Sequence, residues 1–149
     1  MDLSLEEFAD RLSEIFPVFM KEFLKYQISE VYRGKITPVQ FVALNFLDKQ
    51  GESKMTDIAQ SMDVTMATMT GVIERLVRDD YVQRLNDPAD RRIVKVRLTT
   101  KGHSLIKKIH QTRRKMIIHI FSKIGQKDRG NYLRTLTNIK EILLKAKKA

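Results

Sequence analysis

Apolar residues in the first part of the chain recur at intervals of three and four. Leu5, Phe8, Leu12, Ile15, Phe16, Phe19, Phe23 and Tyr26 follow the helical period, so residues 4–32 read as one long amphipathic helix. Pro17 falls inside it and predicts a kink or break near residues 13–17. Tyr32-Arg33-Gly34-Lys35 closes the segment with a glycine stop. Thr37-Pro38 then supplies an N-cap and a first-turn proline, with Gln40 at capping-box spacing. Phe41, Leu44 and Leu47 form the apolar stripe of this second helix, and Gly51 ends it.

Residues 53–62 read as a short helix with Ser53 as its cap and Ile58, Ala59 and Met62 turned inward. A turn at Asp63-Val64 leads to Thr65, which caps a helix running from Met66 to about Asp80. Two short helices joined this way are the helix-turn-helix unit. At 100° per residue, Met69, Val72, Ile73 and Leu76 share the inner face of its second helix. Ala67, Thr70, Gly71, Glu74, Arg75 and Arg78 lie opposite.

From Tyr81 the period drops to two. Tyr81–Leu85 and Ile93–Leu98 are alternating, β-branched runs. Asn86-Asp87-Pro88-Ala89-Asp90-Arg91-Arg92 between them is rich in turn formers. This is a β-hairpin with a long basic tip. Thr99 caps a further long helix through about Ile124, with Leu105, Ile109, Met116, Ile120 and Ile124 on one stripe. After Gly125, a last helix from about Asp128 to Lys145 spaces Tyr132, Leu136, Ile139 and Leu143 nearly as a heptad seam. Lys145–Ala149 is expected to fray. The fold class expected is mainly α with a small β-hairpin wing (α+β): a winged helix-turn-helix with an appended helical arm.

Composition narrows the chemistry. The 149 residues contain no cysteine, which excludes disulfides, thiolate metal sites and cysteine nucleophiles. No apolar run nears the roughly 20 residues that span a bilayer. The acidic MDLSLEEFADRL start is unlike a secretory signal, so a cytoplasmic protein is expected. The formal net charge is +10, which points first to a polyanionic partner. The charge is unevenly placed: residues 1–32 carry −4, residues 53–80 carry −2, residues 81–101 carry +4 and residues 102–149 carry +11. The helix-turn-helix stretch is therefore not the source of the excess. The wing is basic, and the acidic first helix and basic C-terminal helices are complementary in charge.

A winged helix suits duplex DNA: the second helix fits the major groove and the hairpin reaches an adjacent minor groove. The outward start of that helix is small and uncharged, allowing close approach to base edges. Thr65, Ala67, Thr68, Thr70, Gly71 and Arg75 are the candidates there. Thr70 can donate or accept, and Arg75 suits guanine or phosphate. Gly71 weakens the helix by about 1 kcal/mol relative to alanine, consistent with a close-approach role or with a tolerated glycine. Arg84, Asp90, Arg91 and Arg92 are the wing candidates, the arginines drawn to minor-groove potential. Ser53, Lys54 and Thr56, with the neighbouring helix amides, are candidates for phosphate.

The run Val64–Leu76 followed by Tyr81-Val82-Gln83-Arg84 resembles the recognition helix of MarR-type regulators. Asp90 and Arg92 match that family's wing Asp-x-Arg. Val94, Val96, Arg97-Leu98-Thr99 and Gly102 resemble the strand ending Leu-Thr-x-x-Gly. The likeness covers about residues 37–102, and Asp80 stands where the family commonly has glycine. The resemblance implies one MarR-type domain over residues 1–149. Within it, residues 37–102 form the DNA-binding lobe (helix-turn-helix about 54–78, wing about 81–98), and residues 1–32 and 103–149 form the dimerisation region. It further implies a homodimer reading a pseudo-palindromic duplex, acting as a repressor released by a small-molecule effector.

The aromatics Phe16, Phe19, Phe23 and Tyr26 fill the dimer core or line an effector pocket. Met55, Met62, Met66 and Met69 read as core filler. His103 and His110 lie two turns apart and cannot readily share one metal. With His119 they read as solvated or interface histidines, while a metal site completed by Asp10 or Glu14 of a second copy stays open. No catalytic triad, phosphate-binding loop or carboxylate pair is present. Neither an enzyme nor a cofactor is expected. Two alternatives stay open: a winged-helix protein-interaction module, and a non-specific architectural DNA-binding protein.

Overall fold

The computed structural model describes residues 3–32 and 34–147, without the side chains of residues 27–32. The chain forms two compact units, residues 1–112 and 113–149. The element order is α1 (Leu5–Tyr32), α2 (Pro38–Gln50), β1 (Ser53–Lys54), α3 (Met55–Ser61), α4 (Met66–Arg78), β2 (Val82–Asn86), β3 (Val94–Leu98), α5 (Thr100–Phe121) and α6 (Gln126–Ala146). Among the described residues no helix is long and apolar enough to cross a membrane.

Helix α1 runs unbroken through Pro17, so the break expected at residues 13–17 is absent. Proline removes the hydrogen bond to the carbonyl four residues back. Here that carbonyl belongs to exposed Ser13, where water can satisfy it. Gly34 follows the helix at φ 81°. Arg33 of the expected stop, and Lys148 and Ala149 of the expected frayed end, lie outside the described residues. In α2 the capping box forms as expected: Thr37 Oγ1 accepts from the Gln40 amide at 3.2 Å, and Gln40 Oε1 accepts from the Thr37 amide at 2.8 Å. Gly51 closes the helix at φ 76°, its amide donating to the Leu47 carbonyl.

The first unit has one core. Leu44 and Leu47 of α2, Ile58 of α3, Met69, Ile73 and Leu76 of α4, Val82 and Val96 of the sheet and Ile106 of α5 are fully buried. The sheet order is β1-β3-β2, all antiparallel. Strand β1 is the main departure from the sequence-based expectation. Ser53 is not a helix cap: its backbone pairs with Val96, and its hydroxyl donates to the Gly51 carbonyl at 3.0 Å. Lys54 takes the N-cap position with no side-chain hydrogen bond. Pairing with β3 already satisfies this backbone, and a two-residue strand is too short to show a period in sequence.

The turn after α4 needs a left-handed residue, and Asp80 adopts φ 61°, a conformation Asp tolerates better than most. The α5 start braces it. Thr99 Oγ1 donates to the Asp80 carbonyl at 2.6 Å and accepts from the Gly102 amide at 3.0 Å, while Lys101 Nζ donates to the Asp79 carbonyl at 2.8 Å. A Cβ at Gly102 would overlap the Tyr81 carbonyl oxygen, so this position accepts only glycine.

In the second unit Met116 is buried, and the Phe121 and Tyr132 rings lie 5.4 Å apart. Helix α6 buries no residue. Ile120 and Ile124, on one helical stripe with Leu105, Ile109 and Met116, are exposed in the single chain.

Candidate nucleic-acid interface

Helix α4 stands on Met69, Ile73 and Leu76, with Val72 half-buried. Its outward face begins with Met66, Ala67 and Thr68, all exposed. Thr65 caps it. Its hydroxyl oxygen accepts from the Thr68 amide at 3.2 Å and lies 3.0 Å from the Thr68 hydroxyl, so both threonines are partly committed to the helix end. The Thr70 hydroxyl donates to the Met66 carbonyl at 2.8 Å. This corrects the expectation of a two-way group, because its proton is used internally and the oxygen is left to accept. A Cβ at Gly71 would meet nothing within 4 Å. The fold itself therefore does not demand glycine there.

Between the first turns of α3 and α4 and the base of the wing lies an open groove of about 450 Å³. Met55, Met66, Ile93 and Val94 supply its apolar lining, and Lys54, Thr56, Thr70, Arg84 and Arg92 its polar lining. Five candidates scattered over nearly forty positions of sequence thus meet on one surface. Arg75 is exposed farther along α4. Arg84 leans toward α4, its Nη2 3.9 Å from Glu74 Oε1.

At the wing tip, Asp90 works internally. Its Oδ1 accepts from the Arg92 amide at 3.0 Å and from Arg92 Nε at 3.2 Å. The first of the Asp-x-Arg pair therefore aims the second, whose side chain remains 92% exposed. Arg91 is exposed beside it. Asp87 organises the rest of the tip and escaped the sequence-based candidates. Its Oδ1 accepts from the Ala89 amide at 2.8 Å, and its Oδ2 accepts from Lys95 Nζ at 2.8 Å. The Lys95 hydrogen bond, helped by the Ala89 amide, holds the Asp87 carboxyl below its ordinary range, and Asp87 in turn raises Lys95. An Asp two residues before a turn amide is a recognisable Asx-turn signal. The partnership with Lys95 is not legible without the strand register.

Phe16, Phe19, Phe23 and Tyr26 line none of this groove. They form an aromatic stripe on α1, Phe19 and Phe23 stacked at 5.6 Å, with Phe16, Phe19 and Tyr26 exposed. The histidines are placed unexpectedly. Asp48 of α2 lies between two of them, Oδ1 3.7 Å from His103 Nδ1 and Oδ2 3.8 Å from His110 Nε2. Among the described residues no group of three His, Cys, Asp or Glu is arranged to hold a metal.

The MarR family model matches residues 36–94, a span that holds α2, the helix-turn-helix and the first part of the wing. The HTH-type transcriptional regulator YsmB of Bacillus subtilis is 28% identical over 104 residues, covering 70% of this chain and 71% of its own. A MarR family protein from Bacillus stearothermophilus has the same fold, with a TM-score of 0.82 at 20% identity over 95% of this chain and 99% of that one. Bordetella bronchiseptica BpsR, whose DNA binding is regulated by 6-hydroxynicotinic acid, is also similar. It gives a TM-score of 0.67 at 25% identity over 87% of this chain and 98% of its own.

Proposed function

We propose that this chain, matched by the MarR family model over residues 36–94, is a transcriptional regulator of that family, two copies of which bind duplex DNA through the groove face of residues 37–102. The observation that carries the proposal is the convergence of Lys54, Thr56, Thr70, Arg84 and Arg92 beside the small, uncharged start of α4. Ala67, Thr70 and Gly71 approach base edges in the major groove, Arg75 takes guanine or phosphate, and Arg91 and Arg92 enter the minor groove. Ser53 supports the site only as part of β1, since its hydroxyl donates to the Gly51 carbonyl and its backbone pairs with β3. Thr65, Thr68 and Asp90 position the neighbours that touch DNA.

Pairing is through residues 1–32 and 103–149. Helix α6 leaves Tyr132, Leu133, Leu136, Ile139, Ile142 and Leu143 exposed, more apolar surface than an isolated chain ordinarily carries. Two lobes so joined read half-sites about 34–36 Å apart. BpsR supports control by a small effector, and the aromatic stripe of α1 is the surface where paired copies would enclose one. The setting is the cytoplasm, and the outcome is repression relieved by that effector. Selecting fragments bound from genomic DNA, then titrating salt on the best of them, tests the proposal. A two-fold site with a steep salt dependence is expected. Binding without sequence preference would reduce it to an architectural role.

A further inference from the structure

Glu74 is the one acid on the outward face of α4, one turn beyond Thr70. It is well exposed, and its carboxylate lies 3.9 Å from the Arg84 guanidinium, which itself lines the groove. A carboxylate on a surface that meets phosphate costs affinity through like-charge repulsion, unless it does something for recognition. We propose that Glu74 is a specificity-determining residue that withholds Arg84 from the phosphates of random DNA.

The physical basis is the coupling of two charges inside one Debye length, roughly 8–10 Å at moderate salt. Together Glu74 and Arg84 present no net charge to the backbone, so Arg84 releases no counterion. The pair is weak at the free surface. It strengthens when DNA covers the groove and excludes water, because non-specific binding rests on phosphate contacts and holds no base amino group against Glu74. A cytosine amino group in the major groove is such a partner, since a carboxylate accepts from it. Where one is present, Glu74 changes partner and Arg84 is released to phosphate. One base contact thereby controls one backbone contact.

This inference rests on the assignment of the groove face to DNA. The test is the salt dependence of binding to a random-sequence 30-bp duplex, by wild type, Glu74→Gln, Arg84→Ala and the double variant. Glu74→Gln should bind random DNA more tightly and steepen the log–log salt slope by about 0.9, the increment of one phosphate contact. In the Arg84→Ala background the same change should leave the slope nearly unmoved. Equal steepening with and without Arg84, or no steepening at all, overturns the inference. A wild-type chain that binds DNA with no salt dependence would instead overturn the assignment of the face to DNA. All variants alter exposed side chains, and circular dichroism verifies their folding.

Discussion

Helices α4 and α6 carry apolar residues at the same spacing and end in opposite states. Helix α4 buries Met69, Ile73 and Leu76 in its own lobe. Helix α6 buries nothing. The lobe satisfies its apolar stripe within one chain, because α2, α3, the sheet and α5 close around it. The stripes of α1 and α6 find no such enclosure among the described residues of the single chain. A helical period therefore reports that a face wants burial, not which chain supplies it.

The largest effect that separates the two regions is in the lobe core. Ile73→Ala should cost about 2–5 kcal/mol in denaturant unfolding, because Ile73 has no exposed surface. Leu136→Asp on α6 should leave the lobe folded yet weaken self-association roughly tenfold or more, given about 1.5–3 kcal/mol for burying a leucine. Sedimentation at several concentrations reads this. A loss of lobe stability equal to that of Ile73→Ala would erase the distinction.

Within the lobe, Arg92→Ala should weaken DNA binding and flatten the salt slope by about 0.9; an unchanged slope would remove the wing arginine from the interface. Asp87→Asn should loosen the wing tip, visible as faster amide exchange at Ala89. The pH dependence has a definite sign. Asp87 is held below its ordinary range, so its contribution is complete above that range and fades as pH falls through the lowered value. Lys95 is raised, so its share is present below the ordinary lysine range and fades as pH rises through the raised value. The wild-type tip should be tightest at neutral pH, and Asp87→Asn should abolish the acid limb. The smallest change is the most discriminating: Gly71→Ala should stabilise α4 by about 0.5–1 kcal/mol, since a Cβ there meets open space. If DNA affinity falls nonetheless, the glycine serves close approach to the duplex.

Local signals were legible in order of their strength. The capping box at Thr37 and Gln40, the cap at Thr65 and the glycine stop at Gly51 each depend on a few adjacent residues, and all appear as expected. The alternating strands placed the hairpin within one residue of β2 and β3. Ser53 joins a strand whose partner residue, Val96, lies far along the chain. Its sequence context, a serine before a helix, is the same as that of a cap. The site candidates were legible as residue types but not as roles. Thr70 spends its proton on Met66, and Asp90 spends its carboxylate on Arg92.

The sequence by itself determined the helices, the hairpin, the caps at Thr37 and Thr65 and the uneven charge, since periodicity and capping act over a few residues. The tertiary structure decided which partners those residues meet. It set β1 against β3, Asp48 between His103 and His110, Lys95 on Asp87, and Glu74 beside Arg84. Each of these is a contact between elements, and its energy depends on distance and solvent exposure that only the packed chain defines.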